Sequence, residues 1–289
     1  METIFKSPEK KEKILEWYDK FKNKIKYPLE SMEIQTSFGK THLLTGGPAD
    51  GVPVVILHGA MASSAHLLYE LQGLLENYRV YAVDIIGQSV KSEDRRISVK
   101  NNDYGIWLKE VFENLNLKKV NLIGVSWGGF VGIRTAVTFP ELIEKLVLLV
   151  PAGLVNGNPF SGMAKLAFPM YLYQKKPTPE RLHNFTKNLL TTLDDDWVSY
   201  IGDAFLNYKM DMTVPKLATK KELIHFQSPA YVLAAGEDIS FPGQKLIEKS
   251  KKIFPNLVKT ELLKNSKHSP PTTDEFRKWM AGQIAEFIG

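Results

Sequence analysis

At 289 residues, 44% hydrophobic and 24% charged, the chain can bury a large core and has the composition of a globular rather than a fibrous or disordered protein. The absence of cysteine excludes a disulfide framework, a thiol nucleophile and a cysteine-based metal site. A formal charge of +5, from 37 Lys+Arg against 32 Asp+Glu, comes without any nucleic-acid-binding motif, so nucleic acid is not an expected partner.

The first residues, Met1 to Lys6, lack the apolar segment of a signal peptide, and the cytoplasm is the expected compartment. Nowhere do about 18 uninterrupted apolar residues occur, so no transmembrane segment is expected. Much of the positive charge lies between Lys6 and Lys26. There Ile14, Trp17, Tyr18 and Phe21 fall at i, i+3, i+4 and i+7, which predicts an amphipathic helix over about residues 8–25. Its stripe is expected to pack on the body with the lysines outside; peripheral contact with an anionic membrane or an acidic partner is the alternative. Short strands follow near 32–36 and 41–44, and the turn Asp50-Gly51 precedes a strongly apolar strand at 54–57. Strand and helix signals then alternate through residues 80–83, 120–123, 130–139 and 145–150, the signature of a parallel α/β sheet.

From Pro151 to about Ser228 the rhythm changes. This stretch carries Met163, Leu166, Phe168, Met170, Tyr171, Leu172 and Tyr173, and then a helix beginning at Asp194, Asp195 and Asp196. Three aspartates suit a helix amino terminus through capping and the macrodipole. Apolar strands return at 230–235 and 257–263.

The chemistry is carried by Gly124-Val125-Ser126-Trp127-Gly128, a G-x-S-x-G set between the 120–123 strand and the 130–139 helix. A serine on such a strand-to-helix turn is held in strained geometry with its hydroxyl above the sheet. Gly124 and Gly128 are needed where strand and helix approach too closely for larger side chains. The expected partners follow in the order serine, acid, histidine. Asp238 lies in Gly236-Glu237-Asp238 after one strand, and His268 lies in Lys267-His268-Ser269 after the last. In a parallel sheet these loops gather with Ser126 at the carboxyl edge. The imidazole would take the serine proton, and the carboxylate would fix the imidazole tautomer.

These residues give the chain a clear resemblance to the α/β-hydrolase superfamily, in its capped serine carboxylesterase-like form. The matching pieces are His58-Gly59-Ala60-Met61, Asp84-Ile85-Ile86-Gly87, the serine elbow, Ala235-Gly236-Glu237-Asp238 and Lys267-His268, in the family's order over roughly residues 30–288. The resemblance implies a mostly parallel, eight-stranded-type sheet flanked by helices, with a helical cap inserted after the sixth main strand. The core would comprise 1–150 and 229–289, and the cap 151–228. It implies Ser126, Asp238 and His268 as catalytic residues, and the backbone amides of Ala60 and Trp127 as the oxyanion hole. Met61, Met163, Phe168 and Met170 are the expected substrate contacts. Three departures stand out: Gln88-Ser89-Val90-Lys91-Ser92 replaces the usual Gly-x-Ser after Gly87, Lys267 replaces a glycine before the histidine, and the acid turn is one residue short. The last leaves Glu237 as a rival to Asp238.

The expected activity is cleavage of a small or medium apolar carboxylic ester through an acyl-enzyme, with a small-molecule ester and water as partners and no cofactor or metal. The same machinery also serves thioesterases, carbon–carbon bond hydrolases and proline iminopeptidases, the last resembled in Ser126-Trp127-Gly128-Gly129. Dehalogenase and epoxide hydrolase readings are disfavoured because those relatives carry aspartate where Ser126 stands. A non-catalytic ligand-binding protein on the same fold is the reading from a different class.

Overall fold

The computed structural model describes residues 3–211 and 213–289. Eight strands form one sheet in the order β1-β2-β4-β3-β5-β6-β7-β8: β1 (Leu29–Thr36), β2 (Gly39–Gly46), β3 (Val52–Leu57), β4 (Tyr78–Val83), β5 (Val120–Val125), β6 (Ile143–Leu149), β7 (Ala230–Ala235) and β8 (Leu257–Leu263). β2 runs antiparallel to its neighbours β1 and β4, and the remaining pairs are parallel. The mostly parallel eight-stranded expectation therefore holds.

Both faces of this sheet are covered, which is why its central strands read as continuous apolar runs rather than alternating ones. Alternate residues part to opposite sides. Val54 and Ile56 join a core with helices α1 (Pro8–Lys22), α2 (Ser64–Glu70) and α10 (Asp274–Ile288). Val55 and Leu57 join the opposite core, built with α3 (Asp103–Asn114), α4 (Trp127–Thr138) and α9 (Gly243–Ile253).

Between β6 and β7 the described residues form α5 (Pro159–Gly162), a π-helical turn (Met163–Ala167), α6 (Phe168–Lys175), α7 (Pro179–Thr186) and α8 (Asp195–Asn207). None of them adds a strand to the sheet. Asp194 caps α8, its Oδ1 accepting from the amides of Asp196 and Trp197, both at 3.0 Å. Asp196 does something different: it pairs with Lys20 at 2.6 Å and with Lys24.

Helix α1 ends at Lys22, three residues before the expected end near residue 25. Its Ile14, Trp17, Tyr18 and Phe21 are buried, as the packing expectation required. Trp17 Nε1 donates to Asp203 of α8 at 2.7 Å, and the rings of Trp17 and Phe21 lie against Tyr200. The apolar stripe is thus fully occupied, and α1 acts as a brace for α8.

Candidate active site

Ser126 is the single residue between β5 and α4, with φ +51° and ψ −109°. An L-residue held there stores roughly 1–3 kcal/mol of backbone strain. The surroundings impose it: Ser126 N–H donates to Leu149 O at 2.9 Å, and its carbonyl accepts from Ala152 N–H at 2.9 Å. A Cβ on Gly128 would stand 2.1 Å from the Leu57 carbonyl oxygen, and one on Gly124 would stand 2.5 Å from that of Gly128. Only glycine allows the helix to start so close to the sheet.

The strand ends put the partners at the same edge. Leu57 pairs with Gly124, and Ala235 with Leu263, so the loops after β3, β5, β7 and β8 emerge together. Ser126 Oγ lies 3.0 Å from His268 Nε2, and His268 Nδ1 lies 2.8 Å from Asp238 Oδ2. Asp238 Oδ1 accepts from the amides of Ser240 at 2.7 Å and Phe241 at 3.0 Å. A carboxylate can only accept, so Nδ1 carries the imidazole proton and Nε2 is left to accept from the serine hydroxyl. Glu237 is exposed and takes no part; its amide donates to Ser266 O at 2.8 Å. The short acid turn therefore aims Asp238, not Glu237, at the imidazole.

Burial opposes ionisation of Asp238, but the His268 charge and hydrogen bond, with the two amides, hold its carboxyl below the usual range. Burial likewise works against the imidazolium of His268, and the adjacent Asp238 overcomes it, raising His268 above 6.5. The Lys267 departure has a structural role: its amide donates to Thr191 Oγ1 at 2.8 Å and its Nζ to Lys187 O at 2.6 Å. With Ser269 N–H bonded to Leu189 O at 2.9 Å, the histidine loop is pinned to the segment after α7.

The loop after β3 faces the serine, for a Cβ on Gly59 would lie 3.6 Å from that of Ser126. His58 holds this loop structurally. Its Nε2 accepts from Ile85 N–H at 2.9 Å, so Nδ1 carries the proton and donates to Gly59 O at 2.7 Å. Burial pushes its pKa down, keeping it neutral. Below it, buried Asp84 accepts from Ser64 N–H and Oγ, both at 2.7 Å, from Ser89 Oγ at 2.6 Å and from His42 Nδ1 at 2.6 Å. Ser89, in the departing stretch, thus helps satisfy this buried carboxylate. Among the described residues no acceptor takes the amide of Ala60 or of Trp127.

Tyr200 and His66, which sequence reasoning passed over, brace this loop. Met61 has φ +56°, and its carbonyl accepts from the Tyr200 hydroxyl of α8. Tyr200 stacks on His66, ring centroids 4.0 Å apart, and His66 is pushed down to about 3 by burial, hence neutral. Their sequence separation gave no signal.

Ser126 and His268 open into a cavity of about 630 Å³, most of whose lining is apolar. Met61, Met163 and Met170, the expected substrate contacts, line it. Phe168 does not; it is 55% exposed on the outer side. The lining residues Met163, Leu166, Ala167 and Met170 fall at i, i+3, i+4 and i+7, one helical face, and Phe168 at i+5 from Met163 falls off it. Glu70 and Arg277, from α2 and α10, also line the cavity and were not anticipated; they form a bidentate pair at 2.9 and 3.1 Å. No group of three or more His, Cys, Asp or Glu among the described residues is placed to hold a metal ion.

A family model described as alpha/beta hydrolase fold matches residues 52–274. The chain belongs to the α/β-hydrolase family. Its relatives include carboxylesterases. It is 28% identical over 251 residues to carboxylesterase YbfK of Bacillus subtilis, covering 84% of this chain and 83% of that protein. It is 40% identical over 123 residues to an uncharacterized carboxylesterase, nap, of the same organism; that match spans only 43% of this chain and 41% of the relative. The crystal structure of naproxen esterase from Bacillus subtilis superposes with a TM-score of 0.83 at 22% identity, covering 98% of this chain and all of the other, a likeness of fold. Among the described residues, no helix of this hydrolase is long and apolar enough to cross a membrane.

Proposed function

We propose that this α/β-hydrolase is a serine carboxylesterase that cleaves small or medium apolar esters through an acyl-enzyme. The observation that carries the proposal is the hydrogen-bonded series Ser126–His268–Asp238, set on a strained elbow at the wall of an apolar cavity. Ser126 Oγ attacks the ester carbonyl carbon while His268 Nε2 takes its proton. The carbonyl oxygen becomes an oxyanion, which the free amides of Ala60 and Trp127 receive. The tetrahedral species collapses, the carbon–oxygen bond breaks, and His268 returns the proton to the departing alcohol. Water repeats the sequence on the acyl-enzyme, releasing the acid and restoring Ser126. Asp238 stabilises the imidazolium in each half without accepting its proton. Residues 151–228 form the cap over this centre, contributing Met163 and Met170 to substrate contact, while Met61 contributes from the oxyanion loop.

An apolar ester is favoured over an amine-bearing peptide by the charges in the cavity wall. Its lining carboxylate, Glu70, is already engaged by Arg277 and by Trp197 Nε1 at 2.9 Å. Asp194 is used in capping α8, and Asp196 in pairing with lysines. None is free to bind a substrate ammonium.

The test is steady-state hydrolysis of p-nitrophenyl esters from acetate to dodecanoate. Many turnovers per enzyme on short to medium chains are expected. Folded protein that releases at most one equivalent of product from every ester would overturn the proposal and favour a ligand-binding protein.

A further inference from the structure

The segment spanning α5, the π turn and α6 is apolar on two sides. Its inner side, including Gly162, Leu166, Ala167 and Met170, lines the cavity, with Met163 at the margin. Its outer side presents Phe160, Ala164, Phe168 and Tyr171, spaced by four, four and three residues. Phe160 is 84% exposed, Phe168 55% and Tyr171 51%. A helix apolar all round is ordinarily buried, and a contiguous exposed apolar face marks an interaction site. Here one side is in solvent.

The charge carried by this segment is of one sign. From Lys145 to Pro179 the sequence contains no Asp or Glu. Lys165, Lys175 and Lys176 are exposed, and among the described residues none of them pairs with a carboxylate. Lys175 instead lies 5.6 Å from the Tyr171 ring centre. Aromatic side chains flanked by unpaired lysines match a surface with an apolar interior and anionic headgroups. A second copy of the chain is a poorer occupant, because two-fold pairing through this face would set the three lysines of each copy against those of the other.

We infer that the outer face of residues 159–176 docks on an anionic lipid bilayer. The inner side of the same segment lines the cavity, so an ester dissolved in the bilayer would enter beside the surface that holds the protein. Membrane contact through α1 has no comparable basis, since its apolar stripe is buried. Docking goes beyond the esterase proposal and does not depend on it; only delivery of the ester does.

The experiment is co-sedimentation of the full chain with vesicles of phosphatidylcholine alone or mixed with phosphatidylserine. Hydrolysis of a water-soluble acetate ester is measured on the same samples. The wild type is expected to pellet with the anionic vesicles, to be released by high salt, and to stay in solution with phosphatidylcholine alone. The double variant Phe160→Ser/Tyr171→Ser should lower vesicle affinity by at least about tenfold. The variant Lys165→Gln/Lys175→Gln/Lys176→Gln should lower it about 100-fold. Both should keep wild-type turnover of the soluble ester, which also verifies folding. Absence of wild-type binding to anionic vesicles, or binding that both variants retain, overturns the inference. So does a dimer seen by light scattering that the variants dissolve while no vesicle binding occurs. Loss of soluble-ester turnover in the wild type would instead strike the esterase proposal and leave the vesicle result standing.

Discussion

Replacing Tyr200 with phenylalanine removes one oxygen atom and tests how the oxyanion loop is held. The ring, stacked on His66 at 4.0 Å and against Trp17 at 6.0 Å, keeps its neighbours in Tyr200→Phe. What is lost is the hydroxyl that donates to the Met61 carbonyl. Leaving that carbonyl without its donor costs about 1–3 kcal/mol if no water replaces it. Met61, at φ +56°, also carries a disfavoured backbone conformation worth roughly 1–3 kcal/mol. The two are comparable, so removing the clamp lets Met61 relax and turns the adjoining Ala60 peptide. Complete loss of an oxyanion donor slows a reaction by about 100- to 1000-fold, and a displacement of about 1 Å by about 100-fold. Partial release should therefore lower kcat by about 10- to 100-fold. KM should change little, because this donor acts on the developing oxyanion rather than on the bound ester. The assay is kcat and KM on a short-chain ester, with a melting curve to verify that the variant is folded. A folded variant with kcat within about twofold of the wild type would refute the coupling between α8 and the loop.

Two further outcomes concern the histidine and its carboxylate. His268 must be neutral to accept the serine proton, and Asp238 raises its pKa above 6.5; kcat/KM should therefore be full at higher pH and fall toward acid with a midpoint above 6.5. A pH–rate profile with an acid midpoint below 6.5 would contradict this. In Asp238→Asn burial remains while the charge that opposed it is gone, so the midpoint should move to lower pH and kcat should drop by about 10,000-fold. Glu237→Gln should leave both unchanged, and the reverse pattern in the two variants would exchange their roles.

The sheet was legible because strands buried on both faces are unbroken apolar runs, as in Val54, Val55, Ile56 and Leu57 or in Ala230 to Ala235. The gathering of Ser126, Asp238 and His268 followed from parallel topology, which places every strand-to-helix loop at one edge. The α1 stripe was legible by helical periodicity, although its partner α8 was not. Phe168 was misjudged because Met and aromatic residues of 163–173 were grouped by type; helical spacing puts Met163, Leu166, Ala167 and Met170 on the cavity face and Phe168 off it. Tyr200 and Met61 meet across 139 positions through one hydroxyl, and Glu70 meets Arg277 across 207. Such contacts depend on how the helices between β6 and β7 lie over the sheet, which residue order alone does not specify. Asp196 had the same ambiguity: a first-turn aspartate satisfies the macrodipole whether or not a lysine from α1 also reaches it.

The central claim is that Ser126 is an activated nucleophile, and intact-mass analysis after treatment with a fluorophosphonate addresses it most directly. The wild type should gain the mass of one phosphonyl group, with loss of fluoride, and Ser126→Ala should gain none. Folded wild-type protein that remains unlabelled, or a Ser126→Ala variant that labels as fully as the wild type, would contradict the account.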